Sequence, residues 1–337
     1  MLPVDPLEVV ERLLQFQRTV RDMVVSSRGK ADHHQVRRSS TADTIYQIDT
    51  AVDPLLETFC EQWAKEIPLI LVAEGLEDAN GHEVPHRIFP HGTREEEAII
   101  RLIVDPIDGT RGLMYDKRSA WALAGVAPNK GPGTRLRDIA VAVMTELPTS
   151  KMGQADVLWA TKGGGVQGQR VELKSGAAVP LTLAPSKAGT IEHGFASIAN
   201  FFPATKLLAA QAMETIAREL IGPADATKAT VFDDQYISTG GQFYELIVGH
   251  DRFIADLRPH FYQIQKMPQG MCCHPYDCAT WLIAEEAGVL LTDGLGQQFD
   301  GPLDTTTGLS WAGYANADLR CAIEPVLLRF LRDHGIK

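Results

Sequence analysis

The sequence predicts an α/β protein, with a first half of helices and mostly antiparallel strands and a second half in which strands and helices alternate. The chain has 337 residues and is 45% hydrophobic, which is enough for a substantial core. Up to residue 184, strand-like apolar runs follow one another across Gly-rich turns; from residue 185, strand and helix periods alternate, as in sheets with crossover helices. We therefore expect an N-terminal α+β subdomain over 1–184 and a C-terminal α/β subdomain over 185–337, with the active site between them.

Two segments of the first half have the 3.6-residue period of amphipathic helices. The first begins at Pro6, after the candidate N-cap Asp5, and stops before Gly29. The second is AVDPLLETFCEQWAKE, and the polar stretch KADHHQVRRSSTAD between them predicts a surface loop. The predicted strands are IPLILVAE, EEEAIIRLIVDPIDG, SAWALAGVA, RDIAVAVMTEL and the hairpin ADVLWATKGGGVQGQRVEL.

In the second half, segments with the period of a strand alternate with segments with the period of a helix. In chain order the sequence predicts strand TIEHGFASIA, helix TKLLAAQAMETIAREL, strand ATVFD, helix GGQFYELIVG, strand RFIADL, helix YDCATWLIAEEAG and strand VLLTD. Such an order favours a sheet covered by helices.

The charge of the chain excludes several classes of partner. The formal net charge is -11 and the pI is about 5.4, whereas a nucleic-acid surface needs dense Lys and Arg. The first residues, MLPVDPLEVVERLLQF, carry acids where a signal peptide needs bases, and no run approaches the roughly 20 apolar residues of a membrane span. We expect a cytoplasmic protein with neither nucleic acid nor membrane as partner.

Three of the five cysteines crowd together near the end of the chain. Cys272, Cys273 and Cys278 lie beside His274, which leaves a zinc site or ordinary buried thiols as interpretations. The irregular spacing favours buried thiols.

The stretch IVDPIDGT carries the clearest chemical signal. A buried strand ends in Asp105, Pro106 presets a turn, and Asp108 returns three residues later toward the same region. The structural alternative is a turn in which Asp108 caps a short helix. The functional alternative is a pair of carboxylates that hold a hard cation such as Mg²⁺, which prefers oxygen ligands.

Further acids stand at comparable places in the chain. Glu74 ends the buried strand LILVAE, while Asp277 and Asp49 each stand at the start of a predicted helix. Asp49 and Asp277 are good N-caps, and each alone is more often a cap than a ligand. Taken together, these acids end elements far apart in sequence, at the strand ends and helix starts where α/β folds gather their sites.

One rival family uses the same residue types. The haloacid-dehalogenase phosphatases have a strand ending in D-x-D-G-T, with the first Asp as nucleophile. Here Pro106 stands two residues before Asp108, so no nucleophile occupies that position.

The motif DPIDGT resembles the signature of the inositol monophosphatase superfamily, whose members are metal-dependent, lithium-sensitive phosphatases. LVAEGLED is similar to that family's first acidic block and PYDCATWLIAEEAG to its later Asp-containing block, so the resemblance covers most of residues 40–315. It implies a five-layer αβαβα sandwich and a homodimer. It also implies that two or three Mg²⁺ ions are held by Glu74, Asp105, Asp108, Asp277 and the backbone carbonyl of Ile107.

The resemblance implies further roles in catalysis. Thr110 and Asp49 would form a pair that activates an attacking water, with Glu74 beside them. The phosphate would lie on the N–H groups of Gly109 and Thr110, where a helix start favours an anion. The stretch STGGQF would line the substrate site through Gly240 and Gly241.

The sequence therefore predicts a Mg²⁺-dependent phosphomonoesterase that hydrolyses a small phosphorylated metabolite. The candidate substrates are sugar, inositol or histidinol phosphates, fructose bisphosphate and bisphosphorylated nucleotides. Inositol phosphate is disfavoured, because the loop before Asp277 lacks the Glu that inositol-specific members use. Arg258, His260 and Lys266 in that loop either meet a second anionic group or are exposed bases without a ligand.

An alternative function uses the same site without efficient turnover. Gly75 replaces a second Glu of the family, and Tyr276 replaces a Trp. These departures motivate a catalytically weak member that binds a metabolite or a protein partner.

Overall fold

A computed structural model describes residues 2–27, 36–39, 44–46, 48, 51–78, 80–225 and 227–336. Its helices are α1 Pro6–Ser27, α2 Asp53–Trp63, α3 Thr110–Met114, α4 Lys206–Ile221, α5 Thr239–Ile247, α6 Arg258–Ile264, α7 Trp281–Glu286 and α8 Ala317–Asp333. Single 3₁₀ turns lie at Glu95–Glu97 and Leu136–Asp138. None of these helices is long and apolar enough to cross a membrane.

The first strands of the chain form a hairpin and one large sheet. The hairpin joins β1 Val36–Ser39 to β2 Thr44–Tyr46. The sheet contains β3 Leu69–Ala73, β4 Arg87–Phe89, β5 Ile100–Asp108, β6 Ala120–Pro128, β7 Val141–Leu147, β8 Gln154–Thr161, β9 Gly165–Glu172 and β10 Ala178–Pro180. Its eight strands run in the order β10-β9-β8-β7-β6-β5-β3-β4, and all neighbours are antiparallel except β3 and β5.

A second, five-stranded sheet follows in the chain. It contains β11 Gly194–Ile198, β12 Val231–Phe232, β13 Asp251–Asp256, β14 Leu290–Thr292 and β15 Trp311–Tyr314, in the order β12-β11-β13-β15-β14. β12, β11 and β13 are parallel to one another, and β15 is antiparallel to both β13 and β14.

The helices lie in three layers around the two sheets. α1 and α2 pack on each other, and α1 also contacts β6, β7 and β8 on the outer face of the large sheet. α5 and α7 lie between the sheets, because α5 contacts β6 and β13 while α7 contacts β7–β9 and β14. α4 and α8 pack together on the far face of the small sheet. The predicted five-layer αβαβα sandwich is confirmed.

The layers explain why the central strands read as continuous apolar runs. All five residues of β3 are buried, because helices cover both faces of the sheet. Ile70 and Val72 point into the core between the sheets, whereas Leu69, Leu71 and Ala73 join the core under α1 and α2. Truncating such a Leu to Ala typically costs about 2–5 kcal/mol of stability.

Several elements differ from the sequence-based expectation. The stretch predicted as a surface loop contains β1, and β2 follows directly after it; both strands are too short to show a period. The loop before Asp277 contains α6, and the helix predicted from Tyr276 begins only at Trp281. β15 and α8 were not predicted. The division of the chain at 184/185 stays a prediction.

Candidate metal centre

Asp105 and Asp108 lie at the carboxyl end of β5, where the strand departs from a regular ladder. The register against β6 shifts between these two residues, around Pro106, which has no N–H to donate. The Asp105 carboxylate accepts a hydrogen bond from the N–H of Ile107 at 3.0 Å. This irregular strand end brings both aspartates to the same place.

Asp277 supplies a third carboxylate from a distant part of the chain. One carboxylate oxygen from each of Asp105, Asp108 and Asp277 lies within 4.8 Å of the other two. Asp105 is 9% exposed and Asp108 is 5% exposed, and the Asp277 side chain retains 18% exposure. The three acids therefore form a largely buried cluster, here called the acidic triad.

The carboxylate of Asp108 is held by the beginning of α5. Its Oδ2 atom accepts hydrogen bonds from Ser238 Oγ at 2.8 Å and from the Gly240 N–H at 2.6 Å. Ser238 is the N-cap of α5, and the N-terminus of a helix favours negative charge. A residue of the large sheet is thus bound to a helix of the middle layer.

Asp277 is held within its own turn. Its Oδ2 atom accepts a hydrogen bond from the His274 N–H at 2.6 Å. The His274 ring stacks on Tyr276, with ring centroids 5.5 Å apart and planes 10° apart, and both residues are buried. α7 begins at Trp281 with Thr280 at its N-cap position, so Asp277 does not cap it, as the structural alternative for this residue required.

Burial raises the pKa of all three carboxyl groups. For Asp105 the desolvation is reinforced by the charges of Asp108, Asp277 and Glu74. For Asp108 the hydrogen bonds from α5 offset part of the effect of burial on its pKa. For Asp277 burial is again the largest cause of the raised pKa, followed by the charge of Asp108. Full ionisation of all three carboxyl groups is therefore energetically unfavourable unless positive charge is added to the cluster.

The chemistry of the triad fits a hard divalent cation. Carboxylate oxygens in close proximity are the ligands that Mg²⁺ and Ca²⁺ prefer. Their mutual repulsion is the electrostatic cost that such a cation offsets. A second group of candidate ligands in the described chain, Glu57, Glu61 and His91, lies at the surface, where acidic groups are common without an ion.

The turn after β5 has the conformation that only glycine adopts readily. Gly109 has φ +96°, and a Cβ there would lie 3.0 Å from Ser238 Cβ and 3.1 Å from the Ile237 carbonyl oxygen. Thr110 begins α3, and its Oγ1 donates a hydrogen bond of 2.7 Å to the carbonyl oxygen of Ile107. Gly109 and Thr110 therefore lie beside the triad, and their contact with phosphate stays a prediction.

The remaining predicted ligands have different outcomes. Glu74 directly follows β3, is half-buried and acts electrostatically on both Asp105 and Asp277. Asp49 lies outside the described residues, so its pairing with Thr110 stays a prediction. The ligand roles of the acids and of Ile107 stay predictions as well.

Gly240 and Gly241 are buried at the start of α5. The Gly240 N–H donates to Asp108, and the Gly241 N–H donates to Ser238 Oγ at 2.9 Å. A Cβ on Gly240 would lie 2.5 Å from Leu123 Cδ2 and 3.1 Å from Asp108 Oδ2. These contacts support the triad from within the protein, and direct contact of the two glycines with a substrate stays a prediction.

Arg258 corrects one expectation. It is 5% exposed, and its guanidinium forms an ion pair with Asp256 in which Arg258 Nε lies 2.9 Å from Asp256 Oδ1. The rings of Phe201 and Phe202 lie 5.2 and 5.6 Å from its guanidinium carbon. Because Arg258 is buried and paired with Asp256, it is neither an exposed base without a ligand nor a base available to a second anionic group.

The clustered cysteines are buried free thiols, as the favoured interpretation predicted. Cys272, Cys273 and Cys278 are 8%, 1% and 0% exposed. Burial is the largest cause of the raised pKa of each thiol.

Two contributors to the site were not singled out from the sequence. The side chain of Ser238 bonds to Asp108, and the backbone of His274 bonds to Asp277. A serine before the helix start TGGQF is a readable N-cap signal, but the identity of its second partner depends on tertiary structure.

The sequence matches no protein-family model and no curated protein, whereas solved structures match it over most of its length. A Leishmania major fructose-1,6-bisphosphatase in holo form has a TM-score of 0.67 and 12% identity, covering 96% of this chain and 93% of that one. A Thermotoga maritima IMPase has a TM-score of 0.61 and 14% identity, covering 97% of this chain and 100% of that one. The extragenic suppressor protein SuhB from Bartonella henselae has a TM-score of 0.62 and 16% identity, covering 95% and 98%. At these identities the likeness establishes the fold.

Proposed function

We propose that this chain, which has the fold of the inositol monophosphatases and fructose-1,6-bisphosphatases, is a phosphomonoesterase. It would use Mg²⁺ to hydrolyse a small phosphorylated metabolite. The observation that carries the proposal is the convergence of Asp105, Asp108 and Asp277 within 4.8 Å, beside the turn of Gly109 and Thr110. A fold alone does not define a function, but this site has the donor atoms that the reaction requires.

The acidic triad, with Glu74 close by, would hold the cations. Oδ1 of Asp105 accepts a backbone hydrogen bond, which leaves its Oδ2 atom and further lone pairs for a cation. When bound there, divalent cations would supply two effects: easier loss of a proton from an attacking water and compensation of negative charge on the leaving ester oxygen. In this proposal water is the nucleophile, so no covalent enzyme intermediate is needed.

The residues after β5 would receive the phosphate. The N–H groups of Gly109 and Thr110 stand at the start of α3, and Gly109 lets the backbone approach an anion closely. The Thr110 hydroxyl would orient the attacking water, with Asp49 as its proposed partner. The proposed substrate class remains that of small sugar, inositol or histidinol phosphates, fructose bisphosphate and bisphosphorylated nucleotides.

The test is release of inorganic phosphate from a panel of these esters, with and without Mg²⁺ and with added lithium. Asp108→Asn serves as the inactive control, because it removes a carboxylate charge and keeps the shape of the side chain. We expect Mg²⁺-dependent turnover that falls by about 100-fold or more in the variant. Equal turnover by Asp108→Asn would exclude the proposed site.

A matched surface variant tests whether loss of any carboxylate charge, and not only one in the acidic triad, lowers turnover. Glu61→Gln removes one carboxylate from the exposed group of Glu57, Glu61 and His91. Its turnover is expected to equal that of the unmodified protein. Metal binding by the unmodified protein without release of phosphate from any ester would instead favour a metabolite-binding role.

A further inference from the structure

Ser238 links two parts of the molecule through a single hydroxyl group. Its Oγ accepts a hydrogen bond from the Gly241 N–H at 2.9 Å and donates its one proton to Asp108 Oδ2 at 2.8 Å. The residue is 4% exposed, so water does not compete effectively for either bond. The hydroxyl therefore caps α5 and restrains Asp108 at the same time.

The two carboxylate oxygens of Asp108 have different hydrogen-bonding partners. Oδ2 accepts from both Ser238 Oγ and the Gly240 N–H, which occupies the two lone pairs of that oxygen. The Thr239 N–H also donates to this carboxylate, and Oδ1, which lies outside the bonds from Ser238 and Gly240, is the oxygen that would bind a cation. Fixing one oxygen of a carboxylate on neighbouring donors also fixes the direction of the other.

The surroundings restrict which residue can perform this role. Aspartate is also a good N-cap, but an ionised aspartate has no proton to donate to Asp108 and would repel it. A larger side chain meets little space, because Ser238 is only 4% exposed. A small hydroxyl residue satisfies both requirements.

We propose that Ser238 is a positioning residue of the metal centre, which holds the Asp108 carboxylate in the orientation that binds the cation. The inference rests on the proposed function, in which Asp108 is a ligand of the cation. Ser238 acts through Asp108 and also packs against the turn of Gly109, so it couples the start of α5 to both the triad and the candidate phosphate site.

The test measures Mn²⁺ affinity by calorimetry in Ser238→Gly and Ser238→Ala, with no substrate present. Glycine is tolerated at an N-cap, so Ser238→Gly removes the bond to Asp108 with little loss of helix capping. We expect both variants to bind Mn²⁺ about 10- to 100-fold more weakly than the unmodified protein.

Asn316→Ala is the matched control. Asn316 is the N-cap of α8 and its Oδ1 accepts from the Leu319 N–H at 3.0 Å, in the outer layer of the fold. This variant loses a helix cap but is expected to keep its Mn²⁺ affinity.

The outcomes separate the inference from the proposal on which it rests. Unchanged Mn²⁺ affinity in Ser238→Gly, with normal binding by the unmodified protein, overturns the role of Ser238 and leaves the proposed function standing. Equal weakening in Asn316→Ala also overturns it, because the effect would then be one of helix stability. Absence of Mn²⁺ binding by the unmodified protein overturns both.

Discussion

The sulfur atoms of Cys273 and Cys278 lie 3.1 Å apart inside the core between the two sheets. Both are free thiols, and burial raises the pKa of each. Their proximity to Asp277 places a soft pair of atoms next to the hard ligands of the candidate metal centre. Proximity alone does not make the pair reactive, because a thiol reacts as its thiolate and needs access.

Thiol labelling should therefore distinguish one cysteine from the other four. Cys321 is exposed on α8, whereas the remaining cysteines are buried. An aromatic disulfide reagent is expected to label one thiol rapidly in the native protein and all five in denaturant, followed by absorbance. Cys321→Ser should abolish the rapid phase. Two or more rapid thiols in the native protein would contradict the burial described here.

Gly240→Ala should disturb the start of α5. The added methyl would lie 2.5 Å from Leu123 Cδ2, and overpacking of this kind typically costs about 1–3 kcal/mol. We expect a lower free energy of unfolding in urea, together with weaker Mn²⁺ binding, because the new Cβ also crowds Asp108 Oδ2. Gly189→Ala is the control, since a Cβ there meets nothing within 4 Å.

Asp105→Asn should stabilise the metal-free protein and weaken its response to metal. The change removes one of the repelling buried charges, so in EDTA the variant is expected to melt at or above the temperature of the unmodified protein. Added Mn²⁺ should raise the melting temperature of the unmodified protein more than that of the variant. A larger metal response in Asp105→Asn would count against Asp105 as a ligand.

Glu146 should make stability depend on pH outside the candidate site. Burial is the main cause that raises the pKa of Glu146 to about 7, from an ordinary value of about 4.3. The folded state therefore binds a proton more tightly than the unfolded state, and its stability falls as the pH rises from about 4 to about 7. Between pH 5 and 8, Glu146→Gln should gain up to about 3 kcal/mol relative to the unmodified protein.

The control for Glu146 has the opposite sign. Hydrogen bonds from Ser175 lower the pKa of Glu172, so its contribution to stability is present at neutral pH and lost on acidification. Glu172→Gln should not gain stability with rising pH. Parallel pH profiles for the two variants, measured by urea unfolding, would refute the assignment to Glu146.

The strands that carry or precede the acidic triad, and two of its carboxylates, could be predicted from local sequence patterns. β3 is apolar along its whole length and β5 is apolar from Leu102 to Val104, because helices cover both sheet faces, and that pattern can be read without a structure. Asp105 and Asp108 follow directly from the strand end and from the turn that Pro106 imposes.

Other features depend on contacts that no local pattern contains. Arg258 appeared to be an available base because its partner Asp256, two residues away, reads as the end of a strand and not as an ion-pair partner. Ser238 gave a correct N-cap signal, but the acceptor of its proton is 130 residues away in the chain. Short elements such as β12 and α7 carry too few residues to define their own boundaries.

The attachment of Asp108 to α5 has a consequence for the order in which a new chain acquires its site. The strands of the large sheet, with Asp105 and Asp108, are synthesised before Ser238 and Asp277. During that interval the two aspartates lack both their helix donors and the third carboxylate. The acidic triad is therefore completed late in synthesis, when the middle layer docks on the large sheet.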